Sequence, residues 1–163
     1  MPFVVQRDRY ILSPYFDYLS FFFNRGWRRP ARHTVGIMIK LADGCQGRVG
    51  TNGKVSKVLT DEDRRRLQEG VETCTEMLER LGARRQSIVL GTLNAGHPGG
   101  TLPLTEREAR SLHHDHLPGN LYVADASLLP RSLGNPPILT VVALAKRVCK
   151  AIGVAAGSQP AGT

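Results

Sequence analysis

His97-Pro98-Gly99-Gly100-Thr101, Asn120-Leu121-Tyr122-Val123-Ala124-Asp125-Ala126-Ser127 and Gly134-Asn135-Pro136-Pro137-Ile138-Leu139-Thr140 are the three stretches on which the fold turns. The first sets a histidine on a glycine-rich loop, where missing β-carbons let backbone approach a flat partner and Pro98 stiffens the turn. The second is an apolar run without polar alternation, the pattern of a strand buried on both faces, and it ends in Asp-Ala-Ser. The third predicts a helix: Asn135 suits its N-cap, and Pro137 opens it at a position where a missing N–H costs nothing. That helix is apolar nearly all round. Lys146, Arg147 and Lys150 complement its C-terminal dipole end, and Gly153 is expected to close it ahead of a disordered tail over 154–163.

Upstream of His97, Ser87 to Leu93 reads as a strand leading into the loop, and Thr105-Glu106-Arg107-Glu108 reads as one helical turn. Thr60 and Asp63 form a capping box with the shorter acid. Behind it Leu67, Val71, Cys74, Leu78 and Leu81 fall on one helical stripe, and Gly82 serves as the residue after the C-cap. Thr34 to Leu41 is a strand, Asp43-Gly44 a turn, and Gly47-Arg48-Val49 with Lys54 to Val58 a pair of short strands about Asn52-Gly53. This is the pattern of an antiparallel meander. Ser13-Pro14 reads as N-cap plus first helical residue of an aromatic helix through Phe23, ending near Asn24-Arg25-Gly26. Such a helix is either buried between lobes or meets an apolar substrate or a membrane surface.

With 163 residues, the chain can bury one core or two small lobes. Cys45, Cys74 and Cys149 are too few and too scattered for a disulfide framework or a zinc site, which points to free thiols in a reducing compartment. The net charge of +8 comes mostly from arginine, but its clusters, Arg28-Arg29-Pro30-Ala31-Arg32, Arg64-Arg65-Arg66 and Arg84-Arg85, sit at element ends and in different segments. A solvated basic surface is therefore expected, and no nucleic-acid partner. His113-His114-Asp115-His116 is spaced too tightly to converge on one ion and reads as a solvated loop, so no metal is expected. No transmembrane segment and no signal-peptide layout are present, so a cytoplasmic location is expected.

Taken in this order, the three opening stretches resemble the C-terminal signature of the GMC (glucose-methanol-choline) flavoenzymes, which oxidise alcohols with FAD. The resemblance runs from Thr34 to Ile152 and is strongest from His97 onward; the strand, acidic turn and Gly47-Arg48-Val49 are similar to the family's substrate-binding sheet. It implies that His97, in the place of the family's His-Pro-x-Gly-Thr histidine, is the active-site base. Asn135 matches the His…Asn arrangement of cholesterol-oxidase-like and choline-oxidase-like members, where the amide orients the substrate oxygen. Asp125 and Ala126 stand where the family contacts the ribityl or pyrophosphate part of FAD. Asn135, Pro136 and Pro137 begin the helix that points at the flavin ring. Leu102-Pro103-Leu104 departs from the family's Cys-x-Met type sequence, which puts the substrate pocket's details in doubt.

The family's Gly-x-Gly-x-x-Gly turn has no counterpart here, because Gly44, Gly47 and Gly50 have the wrong spacing. The resemblance therefore implies a partial α+β chain. Residues 1–95 would belong to an antiparallel substrate-domain sheet with helices, and 96–153 would supply a strand and helix that complete an FAD-binding α/β domain. A small-molecule alcohol would be the substrate. An N-terminal FAD-binding half on a separate chain would be the partner, and alone this chain is expected to bind FAD poorly. The competing expectation is a catalytically silent fragment serving as a folding or interaction module.

Overall fold

Residues 10–14, Tyr-Ile-Leu-Ser-Pro, form a strand at the centre of a three-stranded antiparallel sheet. The computed structural model describes residues 4–16 and 33–157. Strands β1 (Val5–Gln6), β2 (Tyr10–Pro14) and β3 (Ile37–Leu41) lie in the order β1-β2-β3, with Leu12 opposite Val5 on one side and Ile39 on the other. Side chains alternate across the sheet, so Tyr10 and Leu12 share a face with Ile37, Ile39 and Leu41. The helix α1 (Asp61–Arg80) covers that face through Cys74 and Met77, closing the first core. Tyr10 donates its hydroxyl hydrogen to Glu69 at 3.1 Å on the same helix.

The helix expected to begin at Ser13-Pro14 is not there; both residues belong to β2. A local cap signal loses to pairing with Ile37 and Met38, more than twenty residues away. Pro14 is tolerated because Tyr15 N–H donates to Gly36 O, which leaves Pro14 at a position making no bond across to β3. Most of the expected aromatic segment, residues 17–32, lies outside the described residues. A separate hairpin, β4 (Arg48–Val49) with β5 (Val55–Ser56), turns at Asn52-Gly53 as anticipated.

Thr60 Oγ1 accepts from Asp63 N–H at 3.0 Å, and Asp63 accepts from Thr60 N–H at 3.2 Å, so the capping box forms. Asp63 also accepts from Gly44 N–H at 3.1 Å, which ties the loop after β3 to the start of α1. Burial on its own would raise the Asp63 carboxyl; the hydrogen bonds from Thr60 and Gly44, with the Lys57 ammonium nearby, outweigh it and hold the group below the usual carboxylate range. A depressed folded value means stabilisation that is full above the ordinary Asp value of about 3.9 and is lost as pH falls through the lower folded value. Asp63→Ala should cost about 1–3 kcal/mol in urea unfolding near neutral pH. The gap between variant and parent should narrow on acidification below the ordinary Asp range, as pH falls through the lowered folded value. A gap that persists unchanged into strong acid would remove the carboxylate from this account.

At the other end of α1, Gly82 takes φ +90°, Gly82 N–H donates to Glu79 O and Ala83 N–H to Leu78 O. This paired closure needs a left-handed residue, which glycine adopts without steric cost. Leu81 is 72% exposed and leaves the expected apolar stripe, since it already caps the helix. After a 3₁₀ turn at Arg85–Ser87 the expected strand through Leu93 is absent, and Val89, Leu90 and Leu93 are exposed.

The chain divides into two compact units, Met1–Asn94 and Ala95–Thr163. The second contains α2 (Glu108–Ser111), a 3₁₀ turn at Ala126–Leu128 and α3 (Ile138–Gly157), and no strand among the described residues. Leu121 to Ala124 is not the expected strand: Leu121 is 50% exposed, and no strand among the described residues lies beside it to complete a ladder. Gly153 does not close α3, which runs on to Gly157; the remaining residues of the expected tail lie outside the described residues. The whole is a mixed α and β architecture of small antiparallel sheets with three helices among the described residues. Among the described residues no helix is long and apolar enough to cross a membrane.

Candidate functional site

The Asp125-Ala126-Ser127 segment is a tight 3₁₀ turn capped by its own aspartate. Asp125 Oδ1 accepts from Ser127 N–H at 2.7 Å, and this bond, joined by the Ser127 side chain, keeps the exposed carboxyl below its ordinary range. Within the turn, Leu128 N–H donates to Asp125 O and Leu129 N–H to Ala126 O. The turn's carbonyls then serve a second purpose. Gly100 N–H donates to Ala126 O at 3.0 Å, Leu102 N–H to Ser127 O at 3.0 Å, and Leu104 N–H to Leu128 O at 3.1 Å. The glycine-rich loop is thereby laced, backbone to backbone, onto the Asp-Ala-Ser turn.

The lacing explains the glycines. A β-carbon on Gly99 would stand 2.7 Å from the Ala126 carbonyl oxygen, a contact no ordinary residue makes, and Gly100 has φ +74°. The obstacle is backbone and cannot swing aside. Gly99→Ala should therefore lift the loop, break the Gly100–Ala126 hydrogen bond and cost about 1–3 kcal/mol. Amide exchange checks this: Gly100 should lose protection, and an unchanged rate would mean the loop tolerates the methyl group.

Leu128, 2% exposed, connects the turn to α3. It packs with Leu112 and Val148, supported by Leu102, Leu104, Tyr122, Val123, Leu144 and Ala151. Two of the three motif stretches thus touch directly, and the helix that the third opens packs on the same small core through Leu144, Val148 and Ala151. His97, Asp125 and Asn135 are all exposed, Ala126 and Pro136 are half-buried, and Pro137 is buried.

The start of α3 differs by one step from expectation. Val141 N–H donates to Pro137 O at 2.8 Å, the first helical bond, so Pro137 is itself the cap and Ile138 the first helical residue. Asn135 is therefore not the N-cap. Proline there offers no side-chain oxygen of its own to the cap. Gly134, with φ +68°, turns the chain into this start.

Sequence reasoning missed a buried polar knot. Glu108, 4% exposed, accepts from Thr105 N–H and from Asp115 N–H, both at 2.8 Å, while Thr105 Oγ1 accepts from Glu108 N–H at 3.3 Å. Led by the Thr105 side chain and then its backbone, these bonds hold the Glu108 carboxyl below its ordinary range. The Thr-x-x-Glu spacing of a capping box was the signal available for it. His114 is buried at 7% exposure, not solvated as expected, and its Nδ1 accepts from His116 N–H at 3.2 Å. His113 stacks edge-on against Tyr122 with ring centres 5.0 Å apart. Among the described residues, no three His, Cys, Asp or Glu side chains form a group that could hold a metal ion.

The chain is 39% identical over 120 residues to the uncharacterized protein MJ1450 of Methanocaldococcus jannaschii, a match taking in 72% of this chain and 29% of that protein. The chain thus spans less than a third of that relative's length. No family model matches it, and no solved structure does.

Proposed function

We propose that this chain is the C-terminal portion of an FAD-dependent oxidoreductase of the GMC type, oxidising the CH–OH group of a small alcohol. The observation that carries the reading is the lacing of the glycine-rich loop after His97 onto the Asp125-Ala126-Ser127 turn, with the helix that Asn135-Pro136-Pro137 opens packed on the same Leu128 core through Leu144, Val148 and Ala151. Residues far apart in sequence, which the resemblance assigns to one site, belong to one small unit.

The residues present fit a flavin's chemistry. The backbone N–H groups at the start of α3 are donors of the kind that suit the ring's acceptor atoms, and Asn135 lies beside them in the chain. Asp125 and Ala126 would meet the ribityl side. FAD, when bound, accepts the hydride from the alcohol carbon. His97 takes the hydroxyl proton as that hydride leaves, so the C–H and O–H bonds break and a carbonyl forms. Asn135 holds the substrate oxygen through its amide. On this reading residues 96–153 complete an α/β FAD-binding domain, while the first unit contributes to the substrate-binding sheet. More than two thirds of MJ1450 lies outside the match, so that relative is longer than the stretch it shares with this chain. Cys45, Cys74 and Cys149, none of them in a disulfide, support a reducing, cytoplasmic setting.

Affinity capture of the tagged chain from its native cell tests the proposal. The recovered complex should carry a Gly-x-Gly-x-x-Gly polypeptide and bound flavin that bleaches anaerobically on adding alcohols. A flavin-free complex that no alcohol changes would favour the silent interaction module instead, a reading supported by the exposure of His97, Asp125 and Asn135.

A further inference from the structure

Helix α3 carries two apolar rows, and only one of them is used. Val141, Leu144, Val148 and Ala151 recur at spacings of three, four and three residues, and the last three of them pack into the Leu112–Leu128 core. Ile138, Val142, Ala145, Cys149 and Ile152 recur at spacings of four, three, four and three. This second row is left open: Ile138 is 63% exposed, Val142 47% and Ile152 36%, and Cys149 is exposed. At about 100° per residue it fills about 80° of the helix circumference, beside the packed row. An alternation of threes and fours is the period of a helix–helix seam, in which each side chain enters a hole between four residues of a facing helix.

We infer that this outer row docks an amphipathic helix with acidic flanks, belonging to a partner polypeptide. The charge beside the seam selects the partner. Away from the core the row is bordered by exposed Lys146 and Lys150, with Arg147 further round. A second copy would bring these cations, on a chain of net charge +8, against their own kind. Glutamates or aspartates at the flanking positions of a facing helix would meet them instead, and such flanking pairs set partner choice in helix pairs. A lipid surface is the poorer occupant: exposed Leu139 and Ala143 widen the apolar face near the start of α3, but Lys146 and Lys150 interrupt that face further along, leaving a continuous row only through Ile138, Val142, Ala145, Cys149 and Ile152. The inference does not rest on the flavin reading.

Cys149 reports on the seam from its middle. In the full chain carrying Cys45→Ser, which leaves Cys149 as the exposed thiol among the described residues, maleimide alkylation can be timed. A synthetic heptad peptide with leucines at the seam and glutamates at the flanks should slow that reaction by about tenfold or more, and its lysine-flanked twin should not. Lys146→Glu with Lys150→Glu, both on exposed positions, should reverse the preference, with unchanged circular dichroism showing the fold intact. Val142→Glu should abolish protection by either peptide. The inference is overturned if neither peptide protects, if both protect equally, or if Val142→Glu changes nothing. It is overturned equally if Cys149 becomes protected by raising the chain's own concentration, which would make a second copy the occupant. Protection by phosphatidylserine vesicles but not by peptide would assign the strip to a membrane.

Discussion

On the proposed flavin reading, His97→Ala is expected to slow flavin reduction by about two to four orders of magnitude, while substrate binding changes far less. A hydride leaves an alcohol carbon readily only as the hydroxyl proton departs, and water in a closed site is a poor base. An imidazole titrates near neutral pH in its ordinary state and can take the proton without needing an extreme environment. His97 stands on a loop whose backbone is fixed by three hydrogen bonds to residues 126–128, so loss of the ring should leave that backbone in place. The variant therefore tests chemistry separately from folding. Anaerobic stopped-flow reduction is the measurement. A rate within a factor of two of the parent would take His97 out of the mechanism, whatever the rest of the site does.

Leu128→Ala should destabilise the second unit by about 2–4 kcal/mol, the range for a fully buried leucine whose cavity closes only in part. Here the loss is unusually consequential because the core it belongs to is small: Leu112, Leu128 and Val148 are its buried members. Leu128 also sits at the join. Its carbonyl accepts from Leu104 N–H, its side chain meets the Val148 face of α3, and the preceding carbonyls hold Gly100 and Leu102. Removing the side chain should therefore loosen the loop after His97 and the Val148 stretch of α3 together. Hydrogen exchange on the whole chain distinguishes this from a local cavity: the Gly100, Leu102 and Leu104 amides should lose protection in step with Val148. Loss of one group alone would mean that the loop and the helix are held independently.

The readings that survive in the structure are those whose physics is complete within a few residues. Thr60 and Asp63 satisfy each other's amides three positions apart, Asn52-Gly53 turns a hairpin, and Gly82 ends α1 by a left-handed step. Pro136-Pro137 marks the start of α3 to within one residue, because a proline constrains backbone whatever surrounds it. The pairing of Gly99 with Ala126 was not legible, although the glycine was, since nothing local says which backbone will approach. Where α2 stops was not legible either. Leu112 takes φ 57°, a conformation costly for a leucine, and its burial against Leu128 and Val148 offsets that cost.

Ser13-Pro14 shows the limit most clearly. Its cap signal is worth about 1 kcal/mol, whereas pairing with Ile37 and Met38 and burial beneath α1 engage the whole strand. Residues 88–93 and 121–124 have strand composition without becoming strands, because a strand exists only with a ladder partner and none lies beside them among the described residues. Short-range capping, turn and helix-start chemistry was thus determined by the amino-acid order itself, since both partners of each bond are close neighbours along the chain. Which segments pair, which leucines become core and which loop rests on which turn were decided only by tertiary contact, where burial and backbone hydrogen bonds between distant residues outweigh any local preference.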